Sequence, residues 1–381
     1  MSEIQKHTKP NVPNLRFPGF EGEWEQHFLS EYLEFKNGLN PSAKSFGDGI
    51  KFISVMDILN NPFITYDCIR SSVNATEREK QEFSVGYGDI LFQRSSETLE
   101  DVGRANVYLD SRAAVFGGFT IRGKKKGEYN PLFFKYLLDS PTARKRVIVK
   151  GAGAQHFNIG QEGLSKVALS LPSIQEQNRI AELLNLLDQR IAIQNKVIGK
   201  YESLIKALAH EIIGKNAANK TLSECVCCTS SMLKESDLEG EGAVPAYGAA
   251  GLSGYTDSVL SDGDSILITK DGSGVGSLRY VCGPHSFVGT LNSMKPNDGI
   301  YLPYIYYALW NVCFESYRTG QAIPHIYFRD YGKERIYCPD YPEQKRIAFG
   351  LERIESKMLI ERYIMGHLLS VKAYLLNALF I

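Results

Sequence analysis

One helix start occurs twice in this chain. Pro172 to Ile191 reads PSIQEQNRIAELLNLLDQRI, and Pro339 to Met358 reads PDYPEQKRIAFGLERIESKM. Glu176 and Glu343, Gln177 and Gln344, Arg179 and Arg346, Ile180 and Ile347, and Ala181 and Ala348 all pair at one constant offset in the numbering. The same offset of 167 joins Leu184 to Leu351, Gly199 to Gly366, Ser203 to Ser370 and Leu208 to Leu375, with no gap down to the C-terminus. An internal duplication restricts the fold before any other reading does, because both copies must solve the same packing problem.

Each copy carries a helix-start signature. Ser173 with Glu176, and Asp340 with Glu343, resemble the capping box, and Pro342 sits in a first turn where no intrahelical N–H is lost. Apolar residues then recur at alternating steps of four and three: Ile180, Leu184, Leu187, Ile191, Ile198, Tyr201, Ile205, Leu208 and Ile212 in the first copy. The second copy gives Ile347, Leu351, Ile354, Met358, Met365, Leu368, Leu375 and Leu379. This spacing predicts a coiled-coil seam along two helices, each about 50 Å long. So long a seam needs a partner, and the economical one is the other copy, packed antiparallel. Gln194 and Glu361 interrupt the seam at the same offset. Either they fix register near the midpoint, or local rotation turns both outward. Lys372 stands where the first copy has Ile205, and its stem is expected to lie on the seam with the ammonium reaching water.

The intervening segments correspond more loosely. Leu29-Ser30-Glu31 matches Leu222-Ser223-Glu224, and Gly88-Asp89-Ile90-Leu91 matches Gly263-Asp264-Ser265-Ile266-Leu267. Pro131 to Leu138 and Pro303 to Leu309 both read as short aromatic helices, and Gly153 matches Gly320 at the repeat offset. Short apolar runs broken by Gly, Ser, Asn and Asp predict mixed α/β globules. The fold class is therefore α+β: two mixed α/β domains joined by two long helices in an antiparallel coiled coil, with an internal pseudo-two-fold repeat. The expected boundaries are an N-terminal lead at 1–25, flexible over Met1 to Asn14, a globule at 26–171, a helix at 172–214, a second globule at 215–338 and a second helix at 339–381.

At 381 residues the chain exceeds one small core. No run of about 18 apolar residues is present, so no membrane span is expected. The first residues lack an apolar signal core, and seven cysteines is an odd number, which together suggest reduced thiols in the cytoplasm. Cys225, Cys227 and Cys228 are clustered but have no companion ligand pair. They read as small buried apolar residues rather than a metal site. Basic and acidic residues balance at 43 each, so any nucleic-acid contact must be a local patch. Arg122 to Lys150 supplies a candidate, with nine basic residues against two acidic ones.

Motifs for catalysis are scarce. No GxxxxGK[ST] loop occurs, and the Gly-rich Thr269 to Ser277 lacks that ending and reads as a surface loop. Gly263-Asp264-Ser265 has a hydrolase-like look without a GxSxG elbow. Asn61-Pro62-Phe63 lacks the second Pro of the amino-methyltransferase motif. His156 and His325 stand alone in loops that precede the two helices, which suggests a shared structural or recognition role.

The doubled "P…EQxRIA" start, two divergent globules and NLRFPGFEGEWE (Asn14 to Glu25) resemble the specificity subunit of type I restriction–modification enzymes. So does VPAYGAAGLSGYTD followed by DGDSILITKDGSGVG. The resemblance spans essentially the whole chain. It implies two target-recognition domains, each reading half of a bipartite, asymmetric site on double-stranded DNA. It implies helices that dock two methyltransferase subunits, with restriction/translocase subunits joining that core. It also implies a chain with no active site of its own, with S-adenosylmethionine, ATP and Mg2+ held by the partners. Half-sites about one helical turn apart, near 34 Å, suit a rigid helical spacer.

Base reading needs polar side chains on loops. Candidates in the first globule are Lys44, Ser45, Arg94, Ser95, Ser96, Lys124, Lys125, Lys126 and Gln155. In the second they are Tyr247, Tyr255, Lys270, Asp271, Ser273, Gln321 and His325. Apolar positions off the seam, namely Leu183, Leu186, Ile193, Val197 and Leu204, are candidates for partner docking. The competing reading is a two-globule assembly scaffold that does not touch DNA.

Overall fold

Each copy of the repeat ends in a long helix whose first turn carries a buried glutamine. The computed structural model of the chain describes residues 11–153, 155–238, 242–320 and 323–381. It divides into two units: one extends up to Gln194 and takes back Ile364–Ile381, and the other is Asn195–Tyr363.

In the first unit β1 (Leu33–Asn37), β2 (Ile90–Gln93), β3 (Ala105–Val107) and β4 (Thr120–Lys125) form an antiparallel sheet in the order β1-β4-β2-β3. In the second, β5 (Val226–Ser230), β6 (Ser265–Thr269), β7 (Leu278–Val281) and β8 (Leu291–Pro296) repeat that topology as β5-β8-β6-β7. The central strands β2 and β6 are apolar without alternation because both of their faces are covered. Ile90 and Phe92 enter the main core while Leu91 enters a smaller one. Ile266 and Ile268 do the same against Leu267. The smaller cores lie against a second sheet, of four strands in the first unit and three in the second.

The aromatic helix Pro131–Asp139 is capped by Asn130, whose side chain accepts from the Phe133 N–H at 3.0 Å. It buries Phe133, Phe134, Tyr136 and Leu137. Its counterpart Leu302–Ala308 buries Tyr304, Ile305 and Tyr307. Two further contacts tie these helices to the long ones. Tyr136 donates to Asp188 at 2.9 Å, and Tyr307 donates to Glu355, the repeat equivalent of Asp188.

The long helices run from Ile174 to Ala209 and from Tyr341 to Ala378. Within the first unit Ile180, Ala181 and Leu184 share a core with Leu379 and Phe380, so the start of the first helix lies against the end of the second. Within the second unit Ile205 and Ala209 share a core with Ile347, Ala348, Leu351 and Met358, so the opposite ends meet. Antiparallel packing follows from each unit separately. The repeated Gln explains the repeated start. Gln177 accepts from the Asn130 N–H at 3.1 Å and donates to the Pro172 carbonyl at 3.0 Å. Gln344 accepts from the Tyr301 N–H at 2.8 Å and donates to the Pro339 carbonyl at 2.8 Å. A buried amide with both ends paired fixes where the chain turns into the helix.

Several expectations change. The caps are half-boxes: Ser173 and Asp340 accept from the N–H groups of Glu176 and Glu343, but the glutamates turn elsewhere. Glu343 pairs with Arg346, whereas the buried Glu176 takes both Nε and Nη2 of Arg16 at 2.8 Å. The lead is therefore packed rather than flexible from Asn11 onward. Leu15 donates to the Ala378 carbonyl at 2.9 Å, and Trp24 is buried edge-on to Phe133 and Phe380. Residues 1–10 lie outside the described ones. Lys372 does not reach for water; it pairs with Asp188 at 2.6 Å. The seam also shifts at the end of the first helix, where Ile213 is buried and Ile212 is exposed. A π turn at His210–Gly214 widens the helix by one residue and moves the apolar face on by one. Gln194 is buried. Cys225 belongs to a core and Cys227 is exposed. No helix among the described residues is long and apolar enough to cross a membrane.

Candidate nucleic-acid interface

Where β2 and β6 end, both units build the same backbone junction. Arg94 follows β2; its N–H donates to the Phe119 carbonyl at 2.9 Å, and its carbonyl accepts from Ile159 at 3.0 Å. Lys270 follows β6; its N–H donates to the Thr290 carbonyl at 2.9 Å, and its carbonyl accepts from Ile326 at 2.9 Å. One residue earlier, Gln93 and Thr269 each accept from a glycine, Gly103 and Gly276, at 2.9 Å. Those glycines have φ of +68° and +84°, and a Cβ there would meet Val147 or Phe314 side-chain atoms at 2.6 and 2.7 Å. Only glycine fits such a turn. A hairpin closes the junction in each unit. Ala152 and Asn158 exchange two 2.9 Å bonds, as do their repeat equivalents Thr319 and His325.

The junction gathers several sequence candidates. Ser95 and Ser96 pair with Asn158 and Phe157, and the exposed Gln155 stands in the closing hairpin. In the second unit Asp271 bridges to His325, Lys270 forms an ion pair with Asp271, and Ser273 lies exposed in the adjoining loop. Gln321 lies outside the described residues. No carboxylate is within ion-pair distance of Arg94 among the described residues; its guanidinium reaches only the Gly118 carbonyl, at 3.4 Å.

Other candidates are not brought there. Lys124, Lys125 and Lys126 sit at the far end of β4, five residues or about 17 Å of strand from Thr120. Lys125 donates to the Tyr129 carbonyl, and its N–H donates to Asp89. Lys44 and Ser45 lie in a short turn that borders the junction without joining it, next to Phe46 on a cavity of about 420 Å3 that Leu39, Phe52, Met56 and the junction's Phe119 also line. The Tyr247 carbonyl accepts from Val288 near the junction, but its ring packs edge-on to His285. Tyr255 is exposed on a strand of the smaller sheet.

The basic window Arg122–Lys150 is not a single patch. Arg122 is buried against the Ser84 carbonyl and the Phe116 ring. Arg144 donates to the carbonyls of Glu100, Val102 and Gly103, and so holds the loop that carries the junction glycine. Arg146 caps the Ala168 carbonyl, and Lys135 pairs with Asp139. Counting charges along the chain missed these bonds because their acceptors are mostly backbone groups remote in sequence. It also missed Phe119, Asn158 and Thr290. The twin turns FGGF and FVGT, ending at Phe119 and Thr290, were the available signal.

Of the proposed partner-facing positions, Leu183 packs against the first unit's core, Leu186, Ile193 and Leu204 are exposed, and Val197 is half-buried. The second helix adds exposed Phe349, Leu359, Ile360 and Leu369.

Ser265 and His285 form a hydrogen-bonded pair at 2.8 Å, with His285 Nδ1 donating to the Gly283 carbonyl. Both residues are 0% exposed and no carboxylate among the described residues orients the ring, so no substrate reaches this serine. Burial lowers the His285 pKa below the usual value of about 6.5. The folded unit therefore favours the neutral ring more than the unfolded chain does. The stability from neutral His285 is complete above about pH 6.5 and is lost as the pH falls toward the folded-state value. As the pH falls from 7 to 5 this group is expected to lower the melting temperature. A His285→Gln chain should show a flatter acid slope; an unchanged slope would contradict the assignment.

The chain is a duplicated α+β protein with two unlike globules and two long helices. The sequence matches the family described as type I restriction modification DNA specificity domain over residues 21–202 and 220–365, and the chain belongs to it. A protein of Methanocaldococcus jannaschii, provisionally named the MjaX type I restriction enzyme specificity subunit, is 22% identical over 418 residues, covering 99% of this chain and 97% of that one. The crystal structure of the type I restriction–modification S subunit from M. genitalium superposes with a TM-score of 0.59 at 18% identity, covering 97% and 99% of the two chains. A chain from a structure of type I restriction–modification complex assembly gives a TM-score of 0.53 at 15% identity, covering 95% and 97%.

Proposed function

We propose that this specificity subunit reads a bipartite, asymmetric site on double-stranded DNA, one half with each globule, and that its helices dock two methyltransferase subunits. The observation that carries this reading is the junction built twice, with a cation at the same backbone position, Arg94 in one unit and Lys270 in the other. A cation on a fixed loop root suits base edges and phosphates alike. The exposed apolar residues of both helices suit protein partners. In this reading the chain has no catalytic centre. Methyl transfer from S-adenosylmethionine and ATP- and Mg2+-dependent translocation and cleavage belong to methyltransferase and restriction/translocase subunits in the cytoplasm.

The test is a Lys270→Ala, Asp271→Ala chain assembled with a methyltransferase subunit and titrated against duplex DNA. Selection at one half-site should fall by about tenfold or more, with the other half unaffected. The chain alone should neither methylate nor cleave. Equal loss at both halves would contradict modular reading, and assembly without any DNA binding would favour a scaffold.

A further inference from the structure

The two junctions share their backbone and differ in the side chains mounted on it. We infer that four equivalent positions on this frame set the base preference of each half-site; the inference rests on the DNA-reading function proposed above. The first position is Arg94 or Lys270, defined by the paired bonds to Phe119 and Thr290. The second is Ser95 or Asp271, each facing the closing hairpin. The third is Phe119 or Thr290, whose carbonyls receive the first position's N–H. The fourth is Asn158 or His325, each closing that hairpin.

Some positions that build the fold keep their residue at the repeat offset, as Gln177 and Gln344, or Ile159 and Ile326, do. The four frame positions change chemical type or size while the bonds beneath them keep nearly the same length, 2.9 to 3.0 Å for the shared N–H and hairpin contacts. A frame held constant under exchanged side chains is what reading two different half-sites requires.

The chemistry of each set follows. The first offers guanidinium donors and the Phe119 ring, which is 71% exposed on a turn closed by the Thr120 N–H to Gly117 carbonyl bond at 2.9 Å. Donors of this kind suit the O6 and N7 acceptors of guanine, and an apolar face suits a thymine methyl. The second offers the Asp271 carboxylate, an acceptor held beside Lys270. It suits an exocyclic base amine, on cytosine or adenine.

The experiment makes the reciprocal changes Ser95→Asp and Asp271→Ser, and separately Phe119→Thr, in the full chain assembled with a methyltransferase subunit. Each complex selects from a duplex pool with both half-sites randomised, and Lys124→Ala with Lys126→Ala serves as the off-frame control. Ser95→Asp and Phe119→Thr should shift base preference about tenfold at one or two positions of one half-site only. Asp271→Ser should do so in the other half. The untouched half-site reports that each variant is folded. The control should leave base preference at both half-sites unchanged. Unchanged preferences in all three frame variants, or a shift produced by the control instead, would overturn the frame. A wild-type complex that selects no sequence would overturn the DNA-reading function itself.

Discussion

A chain carrying Ile193→Glu and Ile360→Glu is expected to lose capture of a methyltransferase subunit by about 100-fold or more, while melting within a few degrees of the unaltered chain. The two isoleucines are repeat equivalents, one on each long helix, and are 53% and 59% exposed. Neither belongs to a core of its unit, so charging them removes little packing. A desolvated interface would have to bury two unpaired carboxylates, which strongly disfavours association. Calorimetric titration of the partner against both chains measures the loss. Full affinity at normal stability would place docking elsewhere, with the globule surfaces as the next candidates.

The largest stability effect is expected at the repeated glutamine. Gln344→Leu preserves the bulk of the side chain, yet leaves the Tyr301 N–H and the Pro339 carbonyl without their partner. Each orphaned buried group costs about 1–3 kcal/mol, so a total of roughly 2–6 kcal/mol is expected. Gln177→Leu should act comparably through Asn130 and Pro172. Denaturant unfolding of each variant measures this. A cost below about 1 kcal/mol at both would show that water satisfies these groups and that the glutamine is not what fixes the helix start.

The paired helices were legible because identity at a fixed offset and a four–three apolar spacing are both linear signals. Ile180, Leu184, Ile347 and Leu351 are all buried where that spacing places them. The signal failed at Ile212 because a π turn changes the period without any composition cue. It failed at Glu176 because the partner, Arg16, is remote in sequence and the second copy pairs locally instead. Lys372 found Asp188 for the same reason: the ion pair crosses between two helices whose register the spacing alone does not define.

The candidate interface was half legible. Arg94 and Lys270 stand out as basic residues after apolar strands, and Asp271 follows from the Gly-rich loop. Phe119 and Asn158 do not stand out, because the junction is assembled from backbone bonds between segments far apart in the chain. The lysines at 124–126 show the converse: a dense charge run at the wrong end of its strand. Charge along a chain locates cations, but only the hydrogen-bond frame says which of them share a surface.

The central claim is that one chain reads two different half-sites. Its most direct test is to assemble the unaltered chain with a methyltransferase subunit, select from a duplex pool randomised over about 20 base pairs, roughly two helical turns, and sequence what is retained. Two short blocks of fixed bases, unlike each other and separated by a run with no preference, are expected. A single block, two identical blocks in palindromic arrangement, or no enrichment would contradict it.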